Sequence, residues 1–334
     1  MVHGGLPGAR TAAGGGQRAA VRTVFSGSFD FPYPSHVIVT MASVVDAMRV
    51  ALISFGAEEF SILQETCVAS GHRPVAYAFS RSMRPRSPLD DGAVDAIGQI
   101  IGSMPLEMDL LLPGSAEGLG QAFAGYRLDL AVVYGFSWKI PPAVLGMPRF
   151  GVINIHSSLL PKYRGPAPVL WAIRNGDPEI GFTVHRMDED FDTGPILAQQ
   201  GGIPLDDDVT HECLRSRAAP MIRDLLTTAL EKVARNDPGR PQEDSGASYA
   251  GLLEPEFFTV DWSSPAADIH HQVRTFRFMG ASRGPVARVG DRWLKVLRTR
   301  LTEGDGLRVE CADGPLWIVE SAPGEPPKET AERR

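Results

Sequence analysis

Residues 49–56 read Arg49-Val50-Ala51-Leu52-Ile53-Ser54-Phe55-Gly56, a short apolar run closed by a glycine. A run without polar alternation is what a strand buried on both faces of a parallel sheet requires. Just after it, residues 58–70 set Phe60, Ile62, Leu63, Thr66 and Cys67 near helical spacing and stop at Gly71. Residues 74–79 read as a second strand. Strand, helix, strand opens a doubly wound α/β domain. The alternation continues with helices at 94–101 and 117–124 and strands at 108–112, 128–134 and 151–155. Gly56 does not begin a dinucleotide fingerprint. Gly56-Ala57-Glu58-Glu59-Phe60 lacks the further glycines, and two carboxylates at a helix start repel a pyrophosphate. NAD and FAD are excluded on this feature.

Away from this core the composition changes. Residues 1–47 are rich in glycine, including Gly14-Gly15-Gly16, and carry Arg10, Arg18 and Arg22 against few acids. Such a stretch could serve as an organelle transit peptide, but the reading favoured is a disordered extension or an overlong start assignment, with the true start at Met1, Met41 or Met48. Asn236 to Ser248 (NDPGRPQEDSGAS) is polar and has little to bury, so residues 236–248 read as an interdomain linker between a domain at 48–235 and another at 249–320. The second domain shows strand-like runs at 257–262, 286–289, 293–296, 307–310 and 316–319 and a helix at 266–278, a pattern expected of a small β-barrel. Residues 321–334 read as a flexible tail.

The chain has 334 residues, 43% hydrophobic and 22% charged, with a net charge of -7. That balance excludes a globally basic nucleic-acid coat but not a local patch. Cys67, Cys213 and Cys311 are odd in number and far apart, with no CxxC pair. Neither a disulfide framework nor a structural zinc site is expected, and the composition suits a reducing, cytoplasmic setting. No apolar run approaches the roughly 20 residues of a membrane helix.

The chemistry concentrates in GVINIHSSLLPKYRGPAPVLWAIRNGDPEIGFTVHRMDEDFDTGPILAQ, from Gly151 to Gln199. In the strand ending at His156, Asn154 and His156 are two apart and so face one side. An amide and an imidazole at a strand end can stabilise an oxyanion and handle a proton. The Pro- and Gly-rich loop after it leads to a helix starting near Val169, and a strand at 181–187 leads to the acidic turn Asp188 to Gly194. That turn brings carboxylates to the end of a strand, where one could orient or ionise the imidazole. Ser158 is not in a GxSxG elbow, and its place in the loop is read as turn chemistry.

Asn154-Ile155-His156, Ser158-Leu159-Leu160-Pro161, Tyr163-Arg164-Gly165 with Pro168, and Met187-Asp188 with Asp192-Thr193-Gly194 together resemble the 10-formyltetrahydrofolate-dependent formyltransferase family. Weaker similarity extends over residues 48–301. The resemblance implies an α/β fold with a Rossmann-like, mostly parallel sheet, followed by an OB-like β-barrel. It implies catalytic roles for Asn154, on the formyl oxygen, for His156, protonated and stabilising the oxyanion, and for Asp192, which keeps His156 charged and helps take the amine proton through water. It further implies a folate pocket at Tyr134, Gly135, Phe136, Trp138, Ile140, Ser158, Leu159, Leu160, Pro161 and Asp188. The co-substrate is 10-formyltetrahydrofolate, and no metal is implied.

By the family's base rate, a chain with this barrel formylates methionyl initiator tRNA. Between 271 and 300 lie eight Lys and Arg against Asp291 alone, a local charge of +7 that would attract a phosphate backbone. Arg274 and Arg277 of that patch, with Arg164, Arg81 and Arg84, are the expected acceptor contacts. Two departures favour another acceptor, a small amine such as an amino-sugar nucleotide or a natural-product precursor. The stretch 134–145 is long, and 80–91 lacks the Gly-Arg-Gly loop of the tRNA enzyme. Hydrolysis of formyltetrahydrofolate would use the same three residues but usually follows a regulatory domain, which residues 1–47 are too short to form.

Overall fold

The computed structural model describes residues 46–80, 91–136 and 139–327. The expected extension, except its last two residues, lies outside them, as do Arg81, Arg84 and Trp138.

The run at 49–56 forms β1 (Arg49–Ser54) at the centre of a seven-stranded sheet. It is followed by α1 (Ala57–Ala69), β2 (Arg73–Phe79), α2 (Asp91–Ser103), β3 (Asp109–Leu111), α3 (Ala116–Ala124), β4 (Leu130–Tyr134), α4 (Pro142–Leu145), β5 (Val152–His156), α5 (Pro168–Arg174), β6 (Glu179–Arg186), β7 (Ile196–Pro204) and α6 (His211–Ala234). The order is β3-β2-β1-β4-β5-β6-β7. β3 to β5 run parallel, and β6 and β7 are antiparallel. The mostly parallel sheet is as expected. β7 and α6 were not foreseen from the sequence.

The alternation of strand side chains divides the core in two. Val50, Leu52, Ile153 and Ile155 pack with α1, α5 and α6. Ala51, Ile53, Val133 and Val152 pack with α3 and α4. Asn154 and His156 share the phase of Val152, so they emerge on the α3/α4 side. The chain order reverses between β1 and β4, and in such sheets the ligand crevice lies at the carboxyl ends of the strands near that point.

The C-terminal part holds α7 (Ala266–Met279), β8 (Val286–Val289), β9 (Arg292–Arg300), β10 (Leu307–Cys311) and β11 (Gly314–Pro323). The four strands form an antiparallel sheet in the order β10-β11-β9-β8 around Val260, Ile269, Val273, Val296 and Ile318. The strand expected at 257–262 is absent. Pro255–Phe258 form a 3-10 turn instead, with Phe257 and Phe258 against Phe276, and only Thr259 bridges to Val286. β11 reaches Pro323, and Gly324 N donates to Trp293 O at 3.0 Å, so the ordered sheet continues past residue 320. Among the described residues no helix is long and apolar enough to cross a membrane.

Candidate active site

β5 and β6 pair so that Asn154 lies opposite His185 and His156 opposite Thr183. Asn154, His156 and His185 therefore project from one patch of the sheet. The turn after β6 returns Asp192 to the same place. Asp192 Oδ2 stands 3.6 Å from His156 Nδ1, and Asp192 Oδ1 accepts from Asn154 Nδ2 at 3.4 Å. His185 Nε2 is 3.2 Å from Asn154 Nδ2 and 3.4 Å from Asp192 Oδ1. The structure thus brings the three expected catalytic residues together and adds His185, which the sequence reading missed.

The hydrogen-bond partners assign the protons. His156 Nε2 lies 2.8 Å from the Tyr163 carbonyl, which can only accept, so Nε2 carries a proton. Nδ1 is then the nitrogen whose protonation can change. His185 Nδ1 faces the Arg186 carbonyl at 2.8 Å and likewise donates. Its Nε2 accepts from Asn154 when bare and donates to Asp192 when protonated.

Burial and charge pull against each other here. Burial pushes the Asp192 carboxyl up, but the hydrogen bond to His185, the charges of His156 and His185, and Gly165 N–H at 2.8 Å outweigh it and hold its pKa at about 2. His156 is only 5% exposed, and burial draws its pKa below the usual histidine value. Asp192 and the Tyr163 hydrogen bond oppose that fall, while His185 adds to it. Desolvation of the imidazolium is the larger effect and works against the charge that Asp192 is expected to maintain on His156.

The turns around this centre are tightly determined. Tyr163 and Asp192 both adopt left-handed backbone, with φ of 60° and 56°. Gly194 is required by space, since a Cβ there would come within 1.9 Å of the Arg186 carbonyl oxygen. Ser158 Oγ donates to Lys162 O at 2.6 Å, the turn role read from the sequence. The stretch taken for a linker reaches this region as well. Arg240 and Ile196 exchange backbone hydrogen bonds, and Gln242 contacts both Arg164 and the Asp192 turn. Gln242 was missed because its neighbourhood reads only as polar.

The expected folate residues are distributed unevenly. Tyr134, Gly135 and Phe136 lie half-buried at the end of β4, with Gly135 at φ 82°. Ile140 and Leu160 are core residues, at 3% and 2% exposure. Leu159 is exposed, Pro161 half-buried, and exposed Asp188 accepts from Thr193 Oγ1 at 2.7 Å. Of the expected acceptor residues, Arg164 is held by Gln242 and faces Asp244 at 3.7 Å. Arg274 is buried, donates to the carbonyls of Leu205 and Asp206 and pairs with Asp207. Arg277 and Arg298 both pair with Asp208. Arg274 is thus an internal tie and is not presented on a basic surface. Arg283, Arg288, Arg292 and Arg300 are exposed.

Residues 114–230 match the pattern of the family described as formyl transferase. A methionyl-tRNA formyltransferase of Pelobacter propionicus is 38% identical over 206 residues, which is 58% of this chain and 63% of that protein's length. One from Ruegeria pomeroyi is 34% identical over 276 residues, covering 81% of this chain and 88% of the relative. Among solved structures, the N-formyltransferase from Helicobacter canadensis, in complex with folinic acid and dTDP-3-aminofucose, superposes with a TM-score of 0.60 at 16% identity. The superposition covers 82% of this chain and all of that one, and at such identity it shows the shared fold.

Proposed function

Because this chain belongs to the formyl transferase family, we propose that it moves a formyl group from 10-formyltetrahydrofolate to an amine, the amino group of methionyl initiator tRNA. The observation that carries the reading is the convergence of Asn154, His156 and Asp192 at the carboxyl end of β5. The names of the relatives support the acceptor.

The residues around this centre fit the folate. Half-buried Phe136 and the left-handed Gly135 offer an apolar face beside backbone amides, which suits a flat heteroaromatic ring with a polar edge. Bound there, the co-substrate supplies an activated formyl carbon. His156 Nδ1 takes the proton of the attacking amine. The imidazolium so formed lies between two acceptors, Asp192 Oδ2 and Tyr163 O, which offset its burial. As negative charge grows on the formyl oxygen, the Asn154 amide turns one N–H from His185 or Asp192 to meet it, and the imidazolium stabilises it through its charge. The bond from the formyl carbon to the folate nitrogen then breaks, the proton held by His156 passes to that leaving nitrogen, and Asp192 stays ionised beside the imidazole. Residues 48–235 would form the catalytic domain and 249–320 the acceptor-side barrel.

A second reading, transfer to a small amine, is favoured by one observation. Asp207 pairs with Arg274, and Asp208 with both Arg277 and Arg298, which offsets part of the charge of the patch expected to meet tRNA. The deciding experiment is a transfer assay with 10-formyltetrahydrofolate and methionyl initiator tRNA, with uncharged tRNA as control. Rapid formylation of the charged tRNA is expected. Formylation of amino-sugar nucleotides alone would replace the first reading with the second.

A further inference from the structure

Gln242 sits in a segment whose composition suggests a spacer, yet its side-chain amide is bonded at both ends. Its Oε1 accepts from Arg164 Nε and Nη2 at 3.1 and 2.9 Å. Its Nε2 donates to the carbonyls of Asp192 and Gly194, each at 2.8 Å. Guanidinium groups only donate and carbonyls only accept, so the orientation of this amide is set by its partners. One side chain therefore ties the turn at 163–165 to the turn at 192–194.

These turns supply the two groups that flank His156. Tyr163 O meets Nε2, and Asp192 Oδ2 faces Nδ1. Both residues hold left-handed backbone, which non-glycine residues keep only where the surroundings over-determine it. Much of that determination comes from residues 240–250. Besides Gln242, Ser248 Oγ accepts from Tyr163 N at 2.9 Å, Ser248 O from Arg164 N at 2.8 Å, and Arg164 O from Ala250 N at 2.6 Å.

We infer that Gln242 is a positioning residue of the active site, which clamps the 163–165 and 192–194 turns together and so fixes the Asp192 carboxylate against His156 Nδ1. Its kinetic consequence rests on the formyl-transfer reading; its geometric consequence does not. The groups facing His156 are Asp192, the Tyr163 carbonyl and the ring of His185, whose centroid is 6.3 Å away. Loosening the clamp moves Asp192 and leaves His185 on β6.

The test uses the full chain with Gln242→Met and Gln242→Glu. Methionine removes all four hydrogen bonds at similar volume. Glutamate keeps an acceptor for Arg164 but loses the donors to Asp192 and Gly194. The titration of His156 is followed by NMR without any substrate, and kcat and KM are measured alongside. In Gln242→Met, His156 should titrate about half a pH unit below wild type as its carboxylate neighbour withdraws. kcat should fall roughly 10- to 100-fold, with KM for the formyl donor within about threefold. Glutamate should not rescue kcat. An unmoved His156 titration in both variants overturns the inference, as does an activity loss that only tracks a lower melting temperature. A wild-type protein that transfers no formyl group would sink the proposed function, and the NMR titration would still decide the role of Gln242.

Discussion

Asn154 and His185 stand directly opposite each other on β5 and β6, with 3.2 Å between Asn154 Nδ2 and His185 Nε2. The histidine's other nitrogen is spent on the Arg186 carbonyl, so Nε2 alone meets the amide. When His185 Nε2 is bare, the two Asn154 N–H groups go to His185 and Asp192.

Replacing His185 should therefore disturb catalysis without touching an expected catalytic residue. His185→Leu is expected to lower kcat by about 10- to 100-fold, because Asn154 loses the partner that sets its amide plane. Steady-state kinetics beside a melting curve give the answer; a variant with wild-type kcat would leave His185 as core packing only.

Asp192→Asn should keep the fold, since asparagine tolerates left-handed backbone better than most residues. It removes the charge that draws a proton toward His156 Nδ1. Transfer should fall at least ~100-fold, the scale of acid–base effects. Near-normal turnover would remove Asp192 from the mechanism.

Stability should fall as the solution is acidified, in two stages. Burial lowers the pKa of His72, His156 and His270 in the folded state. The unfolded chain, with histidines near roughly 6.5, then binds protons that the folded chain refuses, so this stabilisation is full above that pH and is lost below it. Asp192, held at about 2, adds a second loss that begins near the unfolded carboxylate value of roughly 3.9. Urea midpoints at pH 7.5, 5.5 and 4 should decline in order; a flat series would contradict the assignment.

Arg274→Met should cost stability and leave folate affinity unchanged. The guanidinium is 8% exposed and serves the carbonyls of Leu205 and Asp206, which would be left without it. The expected loss is about 1–3 kcal/mol, the cost of unpaired buried acceptors. Denaturant unfolding with a parallel folate titration separates the two effects.

If tRNA is the acceptor, the exposed Arg288 and Arg292 are the residues to reverse. Arg288→Glu with Arg292→Glu should raise KM for methionyl-tRNA and flatten its dependence on salt, because fewer counterions are released on binding. Equal salt dependence in wild type and variant would place the tRNA elsewhere.

Much of this arrangement is legible in the sequence, and the gaps have physical reasons. The apolar run at Val50–Ile53 has the pattern a doubly buried strand requires, and the alternation of strands and helices beyond it points to the sheet. Asn154 and His156 share a face because strand side chains alternate; the acidic turn at 188–194 promises a carboxylate beside them, and the family resemblance singles out Asp192. His185 could not be found this way. Its role depends on the register of β6 against β5, which no local pattern states. Arg274 looked like surface charge because its partners, Leu205 to Asp207, lie far off in the chain. Phe257 and Phe258 looked like strand residues, but Pro255 starts a tight turn in which Phe257 stacks on Phe276 and Phe258 meets it edge-on.

The hold of residues 240–250 on both catalytic turns also bears on how such proteins can be recombined. The composition places the seam between modules at residue 236. The hydrogen bonds place it beyond Ala250, the last residue to pair with the 163–167 loop. A chimera joined at 236 would bring in a foreign segment where Gln242 and Ser248 stand and inherit a misfitted catalytic centre. One joined after Ala250 would exchange the barrel and leave that centre whole.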